Sequence, residues 1–549
     1  MPLRFVEPAA EAYRYPLTIG HLLEAALLTS ADQQIVYRDR LRFTYRDLRG
    51  RVGRLASLLT ALGAGEGDTI AVMDWDSHRY LEAYFAVPMM GAVLQTVNVR
   101  LPSEQVAYTL AHAGAQILLV HRDFLPLLAD FRDRLPALRT IVVMLDGGDD
   151  ALPAFAAGEY EVLLEQASPA FAFRDFDENA VATTFYTSGT TGNPKALCFT
   201  HRQLVLHTLV TALPSGLTQN EAISLDAVYM PLTPMFHVHA WGMPYVATML
   251  GCKQVYPGRY DPALICELRR REGVTYSHGV PTVLRMLLDT AESTGTDLTG
   301  WTMGIGGSAL SPALYEEGLR RGMRLVAGYG MSETCPSISV ARPPAGEAED
   351  RSEQIAAMTG AGITYPLVYA KVVDEDMREL PRDGQSRGEL VLRSPWLASS
   401  YLGDEAATEA LWKGGWMHTQ DVATIDKHGR IAICDRLKDV IKSGGEWIPS
   451  LDLERIIALV LGVGEVAVVG VPDARWGERP IAVIVPSGEE PLSLDAVNAP
   501  LQAASARGAI SRYARIDRIE CVAALPRTTV GKIDKKALRR QFADGRGQA

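Results

Sequence analysis

Short apolar runs alternate with helix-like segments over about the first 430 residues of the chain. Gly67–Met73 is strand-like and precedes an amphipathic segment from His78 to Ala92; Gln116–Val120 and Thr140–Met144 repeat the theme. Such alternation predicts α/β architecture on largely parallel sheets. Ala180–Tyr186 reads as a buried strand, and the segment from His201 to about Leu213 as a helix. Asp146–Gly158 and Pro343–Asp350 read as surface connections. The texture changes near Gly384: Glu389–Arg393 alternates as a strand does, and Val422–Asp426 and Arg430–Cys434 flank Lys427-His428-Gly429 as the arms of a hairpin. Beyond a charged break at Asp435–Asp439, strands and helices become short and closely spaced, through Val466–Gly470 and Ile481–Val485. The chain therefore divides into a large α/β domain over 1–434 and a small α+β domain over 435–549.

Length agrees, since 549 residues are too many for one compact core. The net charge of −11 disfavours a general nucleic-acid binder, which carries a prominent basic face. Six scattered cysteines, none in Cys-x-x-Cys spacing, read as reduced and mostly buried thiols. No apolar run reaches the roughly 18 residues of a membrane span. The N-terminus lacks a charged-then-apolar signal pattern. A cytoplasmic protein is expected, with peripheral membrane contact left open.

The chemistry begins at Tyr186-Thr187-Ser188-Gly189-Thr190-Thr191-Gly192-Asn193-Pro194-Lys195. Its amides and hydroxyls can donate to anionic oxygens while Lys195 supplies a point charge. Strand, glycine-rich loop and helix is the usual setting of a phosphate cradle. A plain surface turn is the alternative. The loop is not a Walker A motif, because Lys195 follows Gly192 by three positions and precedes Ala196. It resembles the phosphate-binding signature of the adenylate-forming enzymes, the superfamily of acyl-CoA synthetases, luciferases and peptide-synthetase adenylation domains. That family normally has glycine where Ala196 stands.

Further blocks extend the resemblance. In Gly328-Tyr329-Gly330-Met331-Ser332-Glu333-Thr334, Tyr329 could stack on a purine and Glu333 could hold a divalent cation; a turn with a solvated glutamate is the alternative. Asp421, placed just before a strand, could accept ribose hydroxyls or cap its own turn. The resemblance assigns adenine to Tyr329, Mg²⁺ to Glu333 and Thr187, and ribose to Asp421 with Arg436. It adds Gly306, Gly307 and Ser308 as the wall between nucleotide and acyl pockets, and Thr187, Ser188, Gly189, Thr190, Thr191, Lys195, Gly328, Gly330, Thr334 and Lys442 as ATP contacts. It makes Asp435 the hinge of a mobile C-terminal domain, on a larger domain of stacked sheets. Gly444, Gly445, Glu446 and Trp447 would face the thiol, and Lys532 would be the catalytic lysine of adenylation. Pro449 departs from the family and removes one amide donor.

The acid side is Pro234–Gly242. His237 and His239 alternate as metal ligands do, but spacing suggests no third. Peptide-synthetase domains carry an aspartate after this phenylalanine to pair an amino group; here His237 follows Phe236, which disfavours amino acids. Trp241 resembles the gating tryptophan of bacterial medium- and long-chain fatty-acyl-CoA synthetases, with core packing as its other reading. His237, Trp241 and Gly306 would shape the acyl pocket. The implied activity uses ATP and Mg²⁺ to make acyl-AMP and pyrophosphate, then passes the acyl group to coenzyme A. Methylmercaptopropionate, short-chain or aryl acids remain alternatives, and a homodimer is compatible with the resemblance.

Overall fold

The computed structural model describes residues 3–148, 151–187, 193–213, 223–343, 350–444, 446–488, 491–507, 510–527 and 533–542. Among them a seven-stranded sheet runs from Gly158–Glu159 at one edge, through Thr69–Met73 at its centre, to Val181–Tyr186 and Ala196–Thr200 at the other. It is parallel except for that last pair. A nine-stranded sheet has a parallel centre, in which Val228–Pro231, Tyr276–Gly279, Thr302–Ile305 and Arg324–Gly330 lie side by side. Every residue of Thr69–Met73 is buried, as expected of a strand covered on both faces.

The helix His78–Met89 is buried on every face rather than amphipathic. It packs against strands of both sheets, Val93–Thr96 of one and Gln34–Tyr37 of the other, so no side of it meets water. Asp146, expected in a surface connection, instead joins a buried network: its carboxylate accepts hydrogen bonds from Tyr37 (2.8 Å) and Arg79 (2.8 Å).

Tyr369–Val373, Gly388–Arg393, Met417–Ile425 and Ile431–Arg436 form an antiparallel four-stranded sheet. Asp421 lies inside its third strand, not ahead of it. In the smaller C-terminal domain the expected short strands are parts of one long hairpin, Val463–Asp473 and Gly477–Pro486. Its alternating residues build two cores. Val466, Val468, Ala482 and Ile484 meet the helices Ser450–Ile457 and Leu494–Ala506, while Ala467, Val469, Ile481 and Val483 meet Lys535–Phe542. All six cysteines are free, and Cys252, Cys266, Cys335 and Cys434 are buried. Among the described residues no helix is long and apolar enough to cross a membrane.

Candidate functional site

The glycine-rich loop joins two antiparallel strands, Val181–Tyr186 and Ala196–Thr200, and not a strand and a helix. The helix His201–Ala212 begins only after the second strand, capped by Thr200. No helix terminus therefore follows the loop directly. Thr187 N–H donates to the Lys195 carbonyl (2.9 Å), and Lys195 N–H donates back to Thr187 Oγ1 (3.3 Å), pinching the loop at its neck. Ser188, Gly189, Thr190 and Thr191 lie outside the described residues. Ala196 pairs with Tyr186 in the ladder, and its methyl group is buried there in extended backbone that has no need of glycine.

From this neck a chain of contacts reaches Glu333. Lys195 Nζ sits 4.8 Å above the Tyr401 ring, and the Tyr401 hydroxyl donates to Glu333 Oε1 (2.7 Å). Ala398 N–H holds the Glu333 carbonyl at 2.8 Å. Burial, reinforced by the Glu333 charge, pushes the Tyr401 hydroxyl up, so it remains a donor. Among the described residues no cluster of three or more His, Cys, Asp or Glu forms a metal cage. One buried carboxylate beside a phosphate loop nonetheless suits Mg²⁺, which binds through one or two carboxylates plus substrate phosphates.

Asp421 is buried between three partners. Arg436 Nε lies 3.0 Å from its Oδ1, the Tyr329 hydroxyl donates to its Oδ2, and its own N–H donates to Thr419 Oγ1 (3.1 Å). The strand ladder sets Asp421 directly across from Arg436. Half-buried Tyr329 lies in the strand Arg324–Gly330, followed by Gly330, where a Cβ would come within 1.8 Å of the Pro336 carbonyl oxygen; only glycine fits. Gly328 lies one position before the tyrosine. Gly307 and Ser308 are exposed just past the strand Thr302–Ile305. Thr334 is fully buried, and its hydroxyl accepts from Met331 N–H and donates to the Pro336 carbonyl.

On the acid side, half-buried His237 precedes a tight turn carrying His239 and Trp241. His239 Nε2 is 2.8 Å from Thr183 Oγ1 on the strand leading to Thr187, an engagement that takes it away from any metal pair with His237. Burial lowers the His239 pKa to about 3 and keeps the imidazole neutral. The Trp241 indole tilts over the His278 ring at 5.2 Å and presses on Gly306.

The smaller domain contributes a separate cluster. Asp435 is buried; its Oδ2 accepts both the N–H and the Oγ–H (2.6 Å) of Ser450. The donor removed by Pro449 is thus supplied one residue later. Lys535 Nζ donates to Ser450 Oγ (2.6 Å) and pairs with Glu454 (2.7 Å), tying the segment after Lys532 to the neighbourhood of Asp435. Burial pushes both Asp435 and Glu454 up. Lys532 and Gly445 lie outside the described residues. Lys442 is not brought to Asp421: its ammonium lies 5.1 Å over the Trp447 ring and its N–H donates to Glu478. Gly444 packs against Trp476, and Glu446 accepts from Ser511. Sequence reasoning missed Tyr401, Ser450, Tyr276 and His278, none of which sits in a spaced motif, and gave no role to Lys535 at the end of the block around Lys532.

Comparison with known proteins completes the description. The AMP-binding enzyme family model matches residues 23–402, and the AMP-binding enzyme C-terminal domain model matches residues 452–532. A long-chain-fatty-acid–CoA ligase of Thermus thermophilus is 41% identical over 542 residues, covering 97% of each chain. A medium-chain-fatty-acid–CoA ligase of Ectopseudomonas oleovorans is 35% identical over 543 residues, again covering 97% of each. The crystal structure of ATP-bound MatB from Rhodopseudomonas palustris superposes with a TM-score of 0.82 at 25% identity, covering 96% of this chain and 99% of that one.

Proposed function

The chain belongs to the AMP-binding enzyme family, and on that premise we propose that it is an AMP-forming acyl-CoA ligase, activating a medium- or long-chain fatty acid with ATP and passing the acyl group to coenzyme A. The observation that carries this reading is Asp421, a buried carboxylate aligned by Arg436 and Tyr329. Its lone pairs suit two vicinal ribose hydroxyls, and Tyr329 offers a flat ring beside them. The link from the Thr187–Lys195 neck through Tyr401 to Glu333 supports assigning the phosphates to that side.

A carboxylate is a poor electrophile, being anionic and without a good leaving group. Attack of its oxygen on the α-phosphorus of ATP expels pyrophosphate and leaves a mixed anhydride. A thiolate then attacks the acyl carbon and AMP departs. Lys195 and the loop amides orient the triphosphate. Glu333 with Thr187 would hold Mg²⁺, which when bound neutralises phosphate charge. Lys532 supplies the positive charge between carboxylate and α-phosphate. A hinge at Asp435 would then withdraw Lys532 and present Gly444, Gly445, Glu446 and Trp447 to the thiol, with the domain boundary between 434 and 435. A cytoplasmic location and a homodimer belong to the same reading.

Pyrophosphate is expected only when a carboxylic acid is present, and AMP on adding coenzyme A; ADP would exclude this chemistry. Lys532→Ala should slow acyl-AMP formation by about 10²–10³ while still converting supplied acyl-AMP to thioester. Equal loss of both half-reactions would exclude the two-state scheme.

A further inference from the structure

The register of three parallel strands defines the sheet wall behind Trp241. Tyr229, Tyr276 and Thr302 lie side by side across it; two residues further along, Pro231, His278 and Gly304 do the same. The alternate residues Met230, Met303 and Ile305 turn to the other face and join a different apolar cluster. One face therefore carries, from the strand ends inward, Gly306, then Gly304 beside His278, then Tyr276 beside Tyr229. The two glycines leave a trough. Trp241 covers its outer end, since a Cβ on Gly306 would lie 3.2 Å from the indole Cη2. Its inner end is bounded: a Cβ on Gly304 would make ordinary contact with the Tyr276 hydroxyl (3.5 Å) and His278 Cβ (3.6 Å).

Hydrogen bonds hold His278, and packing holds Tyr276. His278 is buried and neutral, so one ring nitrogen donates and the other accepts. The Tyr229 hydroxyl hydrogen-bonds to Nε2 (2.8 Å) and Thr233 Oγ1 to Nδ1 (3.1 Å), so both ring nitrogens are engaged. Tyr276 packs against the cluster built from Tyr229, Met243 and Val246. His278 is fully enclosed, while Tyr276 and Trp241 are both half-buried and pack against that same cluster.

We infer that Tyr276 and His278 form the floor of the acyl pocket and limit its reach, so that the acid activated is of medium rather than long chain length. This rests on the acyl-CoA ligase reading and narrows its substrate. Once Trp241 moves, a chain running inward past Gly306 gains apolar burial with each methylene until it meets the Tyr276 hydroxyl and His278. Beyond that point added methylenes must crowd the floor or turn back toward water.

The test is kcat/KM for straight-chain acids from butanoate to hexadecanoate, on the full chain and on Tyr276→Ala, His278→Ala and Tyr276→Phe. For the unaltered protein the value should rise about fourfold per methylene, stop rising by decanoate, and fall about tenfold toward hexadecanoate. Both alanine variants should carry the rise on by several methylenes. Tyr276→Phe, smaller by one oxygen, should shift the maximum less than alanine does. Ratios between chain lengths are independent of the folded fraction, so partial unfolding of a variant does not obscure the outcome. A rise that continues to hexadecanoate in the unaltered protein, or alanine variants with its profile, overturns the inference. Absence of pyrophosphate release with every acid overturns the ligase reading instead.

Discussion

At the scale of single residues, the site depends on side chains that connect motifs as much as on the motifs themselves. Tyr401 stands between Lys195 and Glu333, giving its ring face to one and its hydroxyl to the other. A hydrogen bond to a charged group contributes about 1.5–3 kcal/mol. Tyr401→Phe keeps the ring under Lys195 and removes only the donor to Glu333. Acyl-AMP formation should fall about tenfold, with a raised KM for ATP and unchanged thioester formation from supplied acyl-AMP. Equal rates for variant and parent across a range of Mg²⁺ concentrations would remove Tyr401 from the site. The two departures from the family pattern sit in ordinary local settings. Ala196 occupies an ordinary strand position, and Pro449 precedes a serine that satisfies Asp435 twice.

At the scale of elements, the least expected feature is the turn that carries Trp241. Val238, His239, Ala240 and Trp241 have φ of 48°, 54°, 48° and 60°, and Gly242 follows at 73°: one complete left-handed turn. Each non-glycine residue in that conformation carries about 1–2 kcal/mol of strain. Burial of Val238 and Ala240 and the His239–Thr183 hydrogen bond hold it in place. Ala240→Gly should consequently be near neutral in urea unfolding, because relief of strain offsets the lost methyl group and the added chain entropy. Ala247→Gly, in the right-handed helix Met243–Met249, should destabilise by about 1 kcal/mol or more. Equal losses at the two positions would refute the left-handed assignment. Nothing in Phe236–Trp241 announces this turn, since its first glycine is Gly242. Elsewhere elements were legible: the run preceding Thr187, the hairpin around Gly429 and the hydrophobic strands near 117 and 141 all stand where periodicity puts them.

At the scale of the whole molecule, packing four buried histidines creates an acid sensitivity. Burial lowers the pKa to about 4 at His201 and to about 3 at His207, His239 and His278. In the unfolded chain they bind protons below about 6.5. Their contribution is thus complete above that value and is lost as pH falls toward 3, by about 1.4 kcal/mol per pH unit for each. Asp76 opposes them: burial raises it to about 7, so its contribution is complete below about 4 and fades as pH rises through 7. Asp435 and Glu454, also raised by burial, act in the same direction as Asp76; four rings outweigh three carboxyls, and the urea midpoint should drop between pH 6 and pH 4. His207→Gln should flatten that slope; a midpoint constant over the interval would contradict the neutral, buried state of these rings.

The sequence by itself determined the α/β class, the smaller second domain, the position of most strands and the order of the chemical blocks. These depend on local periodicity and on residues close together in the chain. Tertiary structure decided that the glycine-rich loop caps a hairpin, that the helix His78–Met89 is enclosed by two sheets, and that Asp421 sits within a strand facing Arg436. It also joined Tyr401 to Glu333 across 68 positions and Lys535 to Ser450 across 85. Such contacts leave no local trace, because a hydrogen bond depends on where two segments meet and not on what precedes either in the chain.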